Sequence, residues 1–185
     1  MRVFAALPLP REALDALAPL RTALGARWPG LRPVPAGGLH LTLHFFGEVD
    51  EGGVRRLAGL WGEAGLRGPV LPVAFGSLGR FPERGNPRVI WIGIGQGAEP
   101  VCGFQRALEA RIAGLGFRED PKGFSPHVTL ARAGIPAPSP GLLDGFAAPR
   151  LDFAFAECVL FQSILGPRGP TYAPLSAIAF DRGER

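Results

Sequence analysis

The chain carries one four-residue pattern twice: His40-Leu41-Thr42-Leu43 and His127-Val128-Thr129-Leu130. Each copy reads His-x-Thr-x with an apolar residue at both x positions, and each lies in an apolar, strand-like stretch. A strand turns successive side chains to opposite faces. His40 and Thr42 therefore share one face, about 6.6 Å apart at roughly 3.3 Å per residue. Leu39, Leu41 and Leu43 take the other face, toward a core. The second copy repeats this, with His127 and Thr129 on one face and Val128 and Leu130 on the other. A single strand of this kind is an ordinary half-exposed surface. This chain has three histidines and spends two of them on the same pattern, which predicts a pair of strands whose polar faces meet.

The surroundings of the first copy read as a strand over 2–9 and a helix opened by Pro10 and running to about Leu24, with Leu14, Leu17 and Leu20 on one face. A short strand over 31–34 and a turn over 35–38 lead into the motif strand, which runs through Phe46 and stops at Gly47. Asp50 then caps a helix bearing Val54, Leu57, Leu60 and Trp61 and ending near Gly65. A strand over 69–78, a charged Pro- and Gly-containing loop over 80–88 and a strand over 89–94 follow. The pattern then restarts: a helix over 98–115, a connection over 116–123, and the second motif strand ending near Ala133. Residues 135–140 read as a loop and 141–146 as a short helix. A long strand, straight or bent, spans 151–165, followed by a turn over 166–170, a last strand over 172–180 and a polar tail over 181–185.

About four helices interleave with seven or eight strands, which predicts an α+β fold with mainly antiparallel sheet. The two motif histidines lie 87 residues apart, nearly half of the chain. Residues 1–185 are accordingly expected to form a single bilobal domain. Its two pseudo-symmetric halves would each carry an antiparallel sheet and flanking helices around a central cleft. Sites often form at such interfaces.

Apolar residues make up 46% and charged residues 19% of the chain, an ordinary globular composition that argues against disorder. Net charge is +4, a mild lean toward anionic partners. All but one of the 20 basic residues are Arg, the exception being Lys122. Cys102 and Cys158 are far apart, with no CxxC spacing, so neither a disulfide framework nor a zinc site is indicated. No apolar run reaches the length of a membrane span, and a cytoplasmic protein with no membrane partner is expected.

Two imidazoles at one cleft suit general acid–base chemistry, because an unperturbed His near pKa 6.5 can take or give a proton at neutral pH. Each Thr adds a hydroxyl on the same face that can donate to a non-bridging oxygen. Two imidazoles and two hydroxyls fit a tetrahedral anion. No carboxylate cluster or metal-ligand spacing accompanies them, so no metal and no cofactor is expected.

The segments Leu39-His40-Leu41-Thr42-Leu43-His44-Phe45-Phe46-Gly47-Glu48 and Ser125-Pro126-His127-Val128-Thr129-Leu130-Ala131-Arg132 resemble the two signature motifs of the two-histidine phosphoesterase superfamily. Within it, the chain is similar to the RNA 2′,3′-cyclic phosphodiesterases, historically called 2′-5′ RNA ligases. Residues 2–7, Gly79-Arg80-Phe81-Pro82 and residues 163–172 strengthen the likeness, which spans essentially the whole chain. The resemblance implies that His40 and His127 are the catalytic pair, that Thr42 and Thr129 contact the phosphate, and that Arg132 helps to bind it. Strict alternation puts Arg132 on the face opposite His127, so a twist or bulge must intervene for it to reach the site. His44 shares the His40 face by alternation and reads as a rim residue. Phe124, Phe46 and Tyr172 are candidates to stack on a base.

The implied activity is metal-independent hydrolysis of RNA 2′,3′-cyclic phosphate ends to a 2′-phosphate, by a monomer with no obligatory protein partner. The alternatives are 2′-5′ ligation, the same chemistry in reverse, and binding of RNA ends without turnover.

Overall fold

The computed structural model describes residues 1–181 except 63–65, 67, 119–122, 135–137, 140 and 168. Gly65, Lys122, the centre of the 116–123 connection, most of the 135–140 loop, Arg168 of the last turn and the tail beyond Asp181 thus lie outside the described residues.

Three helices and nine strands are described: β1 (Arg2–Pro8), α1 (Arg11–Arg27), β2 (Leu31–Pro33), β3 (His40–Glu48), α2 (Glu51–Gly62), β4 (Leu71–Phe81), β5 (Val89–Ile94), α3 (Ala98–Gly114), β6 (His127–Ala133), β7 (Asp152–Phe155), β8 (Glu157–Gly166) and β9 (Gly169–Ala179). All strands join one sheet in the order β7-β4-β5-β6-β3-β1-β8-β9, with β2 beside β6. Every pairing between named strands is antiparallel.

The order divides at the β6–β3 seam into two quartets that mirror each other. β1 and β5 flank the motif strands β3 and β6, and each is followed in sequence by a long helix. The expected two related halves are present, but their motif strands lie edge to edge in a common sheet rather than face to face.

Helical spacing decides what the helices bury. α1 presents Ala13, Leu17, Leu20 and Leu24 to the sheet, α2 presents Leu57, Leu60 and Trp61, and α3 presents Val101, Leu108 and Ile112. They pack against Val3, Ala5, Leu7, Leu41, Ile90, Ile92 and Val128 in one continuous core. Full burial of a side chain of this size contributes roughly 1.5–3 kcal/mol. Trp61 also donates its indole N–H to the Cys158 carbonyl at 3.2 Å.

Two expectations change. Residues 141–145 form turns rather than a helix, closed by bonds such as Asp144 N–H to Gly141 O, with Gly145 at φ 83°. The long strand over 151–165 is two strands broken at Ala156: β7 pairs with β4 in one quartet, and β8 pairs with β1 and β9 in the other. That break is where the chain recrosses the seam.

Candidate active site

β3 and β6 meet at Leu41 and Val128, which are register partners and both fully buried. In an antiparallel ladder this register sets Thr42 beside His127 and His40 beside Thr129. The leucine and valine point into the helix-covered core, so both His–Thr pairs emerge together on the opposite face. Burial alternates accordingly along both motifs.

Each imidazole is held in the same way. His40 Nδ1–H donates to Gly38 O at 2.7 Å, and His127 Nδ1–H donates to Ser125 O at 2.7 Å. A carbonyl can only accept, so both rings carry their proton on Nδ1 and leave Nε2 for chemistry. Each ring also sits between two aromatics. Tyr172 stands edge-on to His40 (89°, 5.1 Å) with Phe4 tilted at 4.9 Å. Phe81 stands edge-on to His127 (79°, 5.3 Å) with Trp91 tilted at 5.7 Å. Trp91 lies across Gly79, its register partner, where an added Cβ would fall 2.1 Å from the indole.

A one-residue bulge interrupts alternation at the same place in both motifs. Ala6 pairs with Thr42 and Ala5 with His44, leaving Leu43 extra; Trp91 pairs with Thr129 and Ile90 with Ala131, leaving Leu130 extra. Two consecutive residues are buried after each Thr, Leu43–His44 and Leu130–Ala131, and the phase then flips. Arg132 is thereby returned to the His127 face, exposed, as its expected role requires.

The same flip buries His44: it is 3% exposed and donates from Nδ1 to Glu109 Oε1 on α3 at 2.7 Å, while still contributing to the lining of the site's cleft. Gln105 bonds the same oxygen at 2.9 Å.

Thr42, His127, Thr129 and Arg132 line a cleft of about 630 Å³, with Phe45 and Phe124 among its walls. His40 is not among the residues that line this cleft; the register sets it beside Thr129, which does. Burial, the largest influence, pushes the His40 imidazolium down to about 4; the Gly38 carbonyl opposes this, and positive Arg132 adds to it.

Of the proposed stacking rings, Phe124 reaches the cleft. Tyr172 is taken up by His40, and Phe46 packs on His44 and Phe117. The ring missed from sequence is Phe45, 49% exposed and stacked on Phe4 at 5.4 Å. Strict alternation would set it on the same face as Leu43. Among the described residues no group of three or more His, Cys, Asp or Glu side chains gathers as metal ligands.

Two imidazoles, two hydroxyls and one guanidinium thus gather on one face of a two-halved antiparallel sheet. The family model described as LigT-like phosphoesterase matches residues 7–91 and 94–172, and the chain belongs to that family. It is 36% identical over 192 residues to the RNA 2′,3′-cyclic phosphodiesterase of Thermus thermophilus, covering all of this chain and 92% of that one. The Archaeoglobus fulgidus protein of the same name is 31% identical, covering 95% of this chain and 98% of its own. Among solved structures, TT0787 of Thermus thermophilus superposes with TM-score 0.84 at 31% identity over the whole of both chains. Escherichia coli LigT complexed with 3′-AMP does so with TM-score 0.74 at 29% identity, over 97% of each. Among the described residues no helix is long and apolar enough to cross a membrane.

Proposed function

We propose that the chain hydrolyses RNA 2′,3′-cyclic phosphate ends to a 2′-phosphate by metal-independent acid–base catalysis. The Leu41–Val128 register carries this reading, because it brings two Nε2 atoms and two hydroxyls to one face from two different halves. The names of the relatives agree with the cyclic-phosphodiesterase activity. Thr42 and Thr129 donate to the non-bridging phosphate oxygens, and Arg132 balances their charge. His127 takes a proton from water as its oxygen bonds to phosphorus. The P–O3′ bond breaks on the far side, and His40 gives its proton to the departing 3′ oxygen. All of these groups come from one chain, so a monomer suffices.

His40 must be protonated for this task, and in the free protein it is held near 4. A bound phosphate anion supplies the negative charge that raises it. The experiment is incubation with a nucleoside 2′,3′-cyclic phosphate in chelator, followed by product identification. A 2′-phosphate supports the proposal; a 3′-phosphate, or no turnover without metal, refutes it.

A further inference from the structure

Arg32 on β2 is the register partner of Arg132 on β6. Directly opposed residues in an antiparallel pair project from the same face, with Cβ atoms about 4.5–5.5 Å apart. Arg32 therefore stands on the site face, one strand over from the Arg that lines the cleft. Both are exposed, and among the described residues no carboxylate forms an ion pair with either. Like charges set directly opposite destabilise a sheet, so an anion bound between the two would relieve their repulsion.

The Arg32 side chain also has a definite place. Its guanidinium end lies over Gly134, where an added Cβ would fall 3.7 Å from Nε and 3.9 Å from Nη2. Gly134 is two residues beyond Arg132 and presents no side chain. The site face thus continues from His127 and Thr129 on β6 through Arg132 to a second cation on β2.

We propose, on the RNA-end reading given above, that Arg32 holds the phosphodiester that joins the terminal cyclic nucleotide to its 5′ neighbour. An RNA strand must present this second anion one nucleotide from the reacting phosphate, and the unpaired Arg32 lies just beyond Arg132. The favoured class is then an oligonucleotide end over a free nucleotide.

The test compares a nucleoside 2′,3′-cyclic phosphate with the dinucleotide that ends in the same cyclic nucleotide, which adds one phosphodiester. Wild type should favour the dinucleotide in kcat/KM by about tenfold, the size of one exposed charge-assisted contact. Arg32→Ala should erase that preference while leaving the mononucleotide rate unchanged. It should lower the slope of log affinity against log salt for the dinucleotide by about 0.7, as for one phosphate contact on a single strand. Arg55→Ala removes the same charge from α2, behind the sheet, and should leave the preference intact. Calorimetric binding of the 2′-phosphate dinucleotide product gives a readout independent of turnover. No dinucleotide preference in wild type, an equal loss on both substrates in Arg32→Ala, or an equal effect of Arg55→Ala would each overturn the assignment. Failure of wild type to turn over either substrate would count against the phosphodiesterase reading alone, with product binding still deciding Arg32.

Discussion

Phe45 and Arg132 occupy equivalent positions in the two halves. Each stands five residues after its motif histidine, and each is returned to the site face by a bulge at the motif leucine. The pseudo-symmetric frame is thus given different chemistry on its two sides: an exposed ring in the first half and a cation in the second. One side suits stacking on a base and the other suits holding an anion.

That difference separates the kinetic effects of the two residues. Phe45→Ala should raise KM several-fold and leave kcat nearly unchanged, because a stacked base is bound alike before and during reaction. Arg132→Lys should lower kcat about tenfold or more with little change in Tm, since the charge stays while the planar fork is lost. Steady-state kinetics on both variants decides; a kcat loss in Phe45→Ala would place that ring closer to the reacting atoms.

His40→Ala and His127→Ala should each lower the rate by about 10²–10⁴, the usual worth of one acid or base. A substrate with sulfur in place of the 3′ oxygen carries a leaving group that needs little protonation. It should rescue His40→Ala far more than His127→Ala. The reverse pattern of rescue would exchange the two roles.

The proton on His40 can be followed directly. By NMR its titration midpoint should lie near 4 in the free protein and rise by about a unit or more when a phosphate analogue occupies the cleft. The folded protein resists protonating this group, whereas the unfolded chain takes the proton near 6.5. This contribution to stability is present above pH 6.5 and lost as pH falls through about 4, amounting to roughly 3 kcal/mol. The denaturant midpoint of wild type should fall relative to that of His40→Gln between those limits as the pH is lowered. A midpoint that ignores phosphate would remove His40 from the anion's neighbourhood.

His44→Ala should behave as a structural lesion. It leaves the Glu109 carboxylate, whose second oxygen is already buried without a partner, with only Gln105. A loss of about 2–3 kcal/mol is expected, with kcat little changed, because removing one partner strands a buried polar group. A large kcat loss at unchanged stability would return His44 to the catalytic face.

The sequence showed the two motifs, their shared polar face and the restart of the pattern at residue 98, because period-two alternation and helical spacing are local signals. It concealed what depends on a partner strand. Leu43 and Leu130 look like ordinary core residues, and only pairing with β1 and β5 makes each of them extra. The burial of His44 and the exposure of Phe45 and Arg132 all follow from that one irregularity, which alternation alone does not reveal. The break at Ala156 was hidden for the same reason, since both flanking segments are apolar and strand-like and differ only in which neighbours they join.

The seam crossing at Ala156 also orders events in time. The quartet bearing His127 is drawn from one contiguous stretch, residues 71–155, whereas the quartet bearing His40 combines the first strands with the last. During synthesis β1 can pair early with β3, but its other neighbour, β8, is made only after the whole His127 quartet. Pairings so distant in sequence form late. The His127 side can therefore be complete on a nascent chain whose His40 side still exposes an open strand edge. Pulse-labelled hydrogen exchange should find β5 and β6 protected before β1; simultaneous protection would show that the two halves close as one.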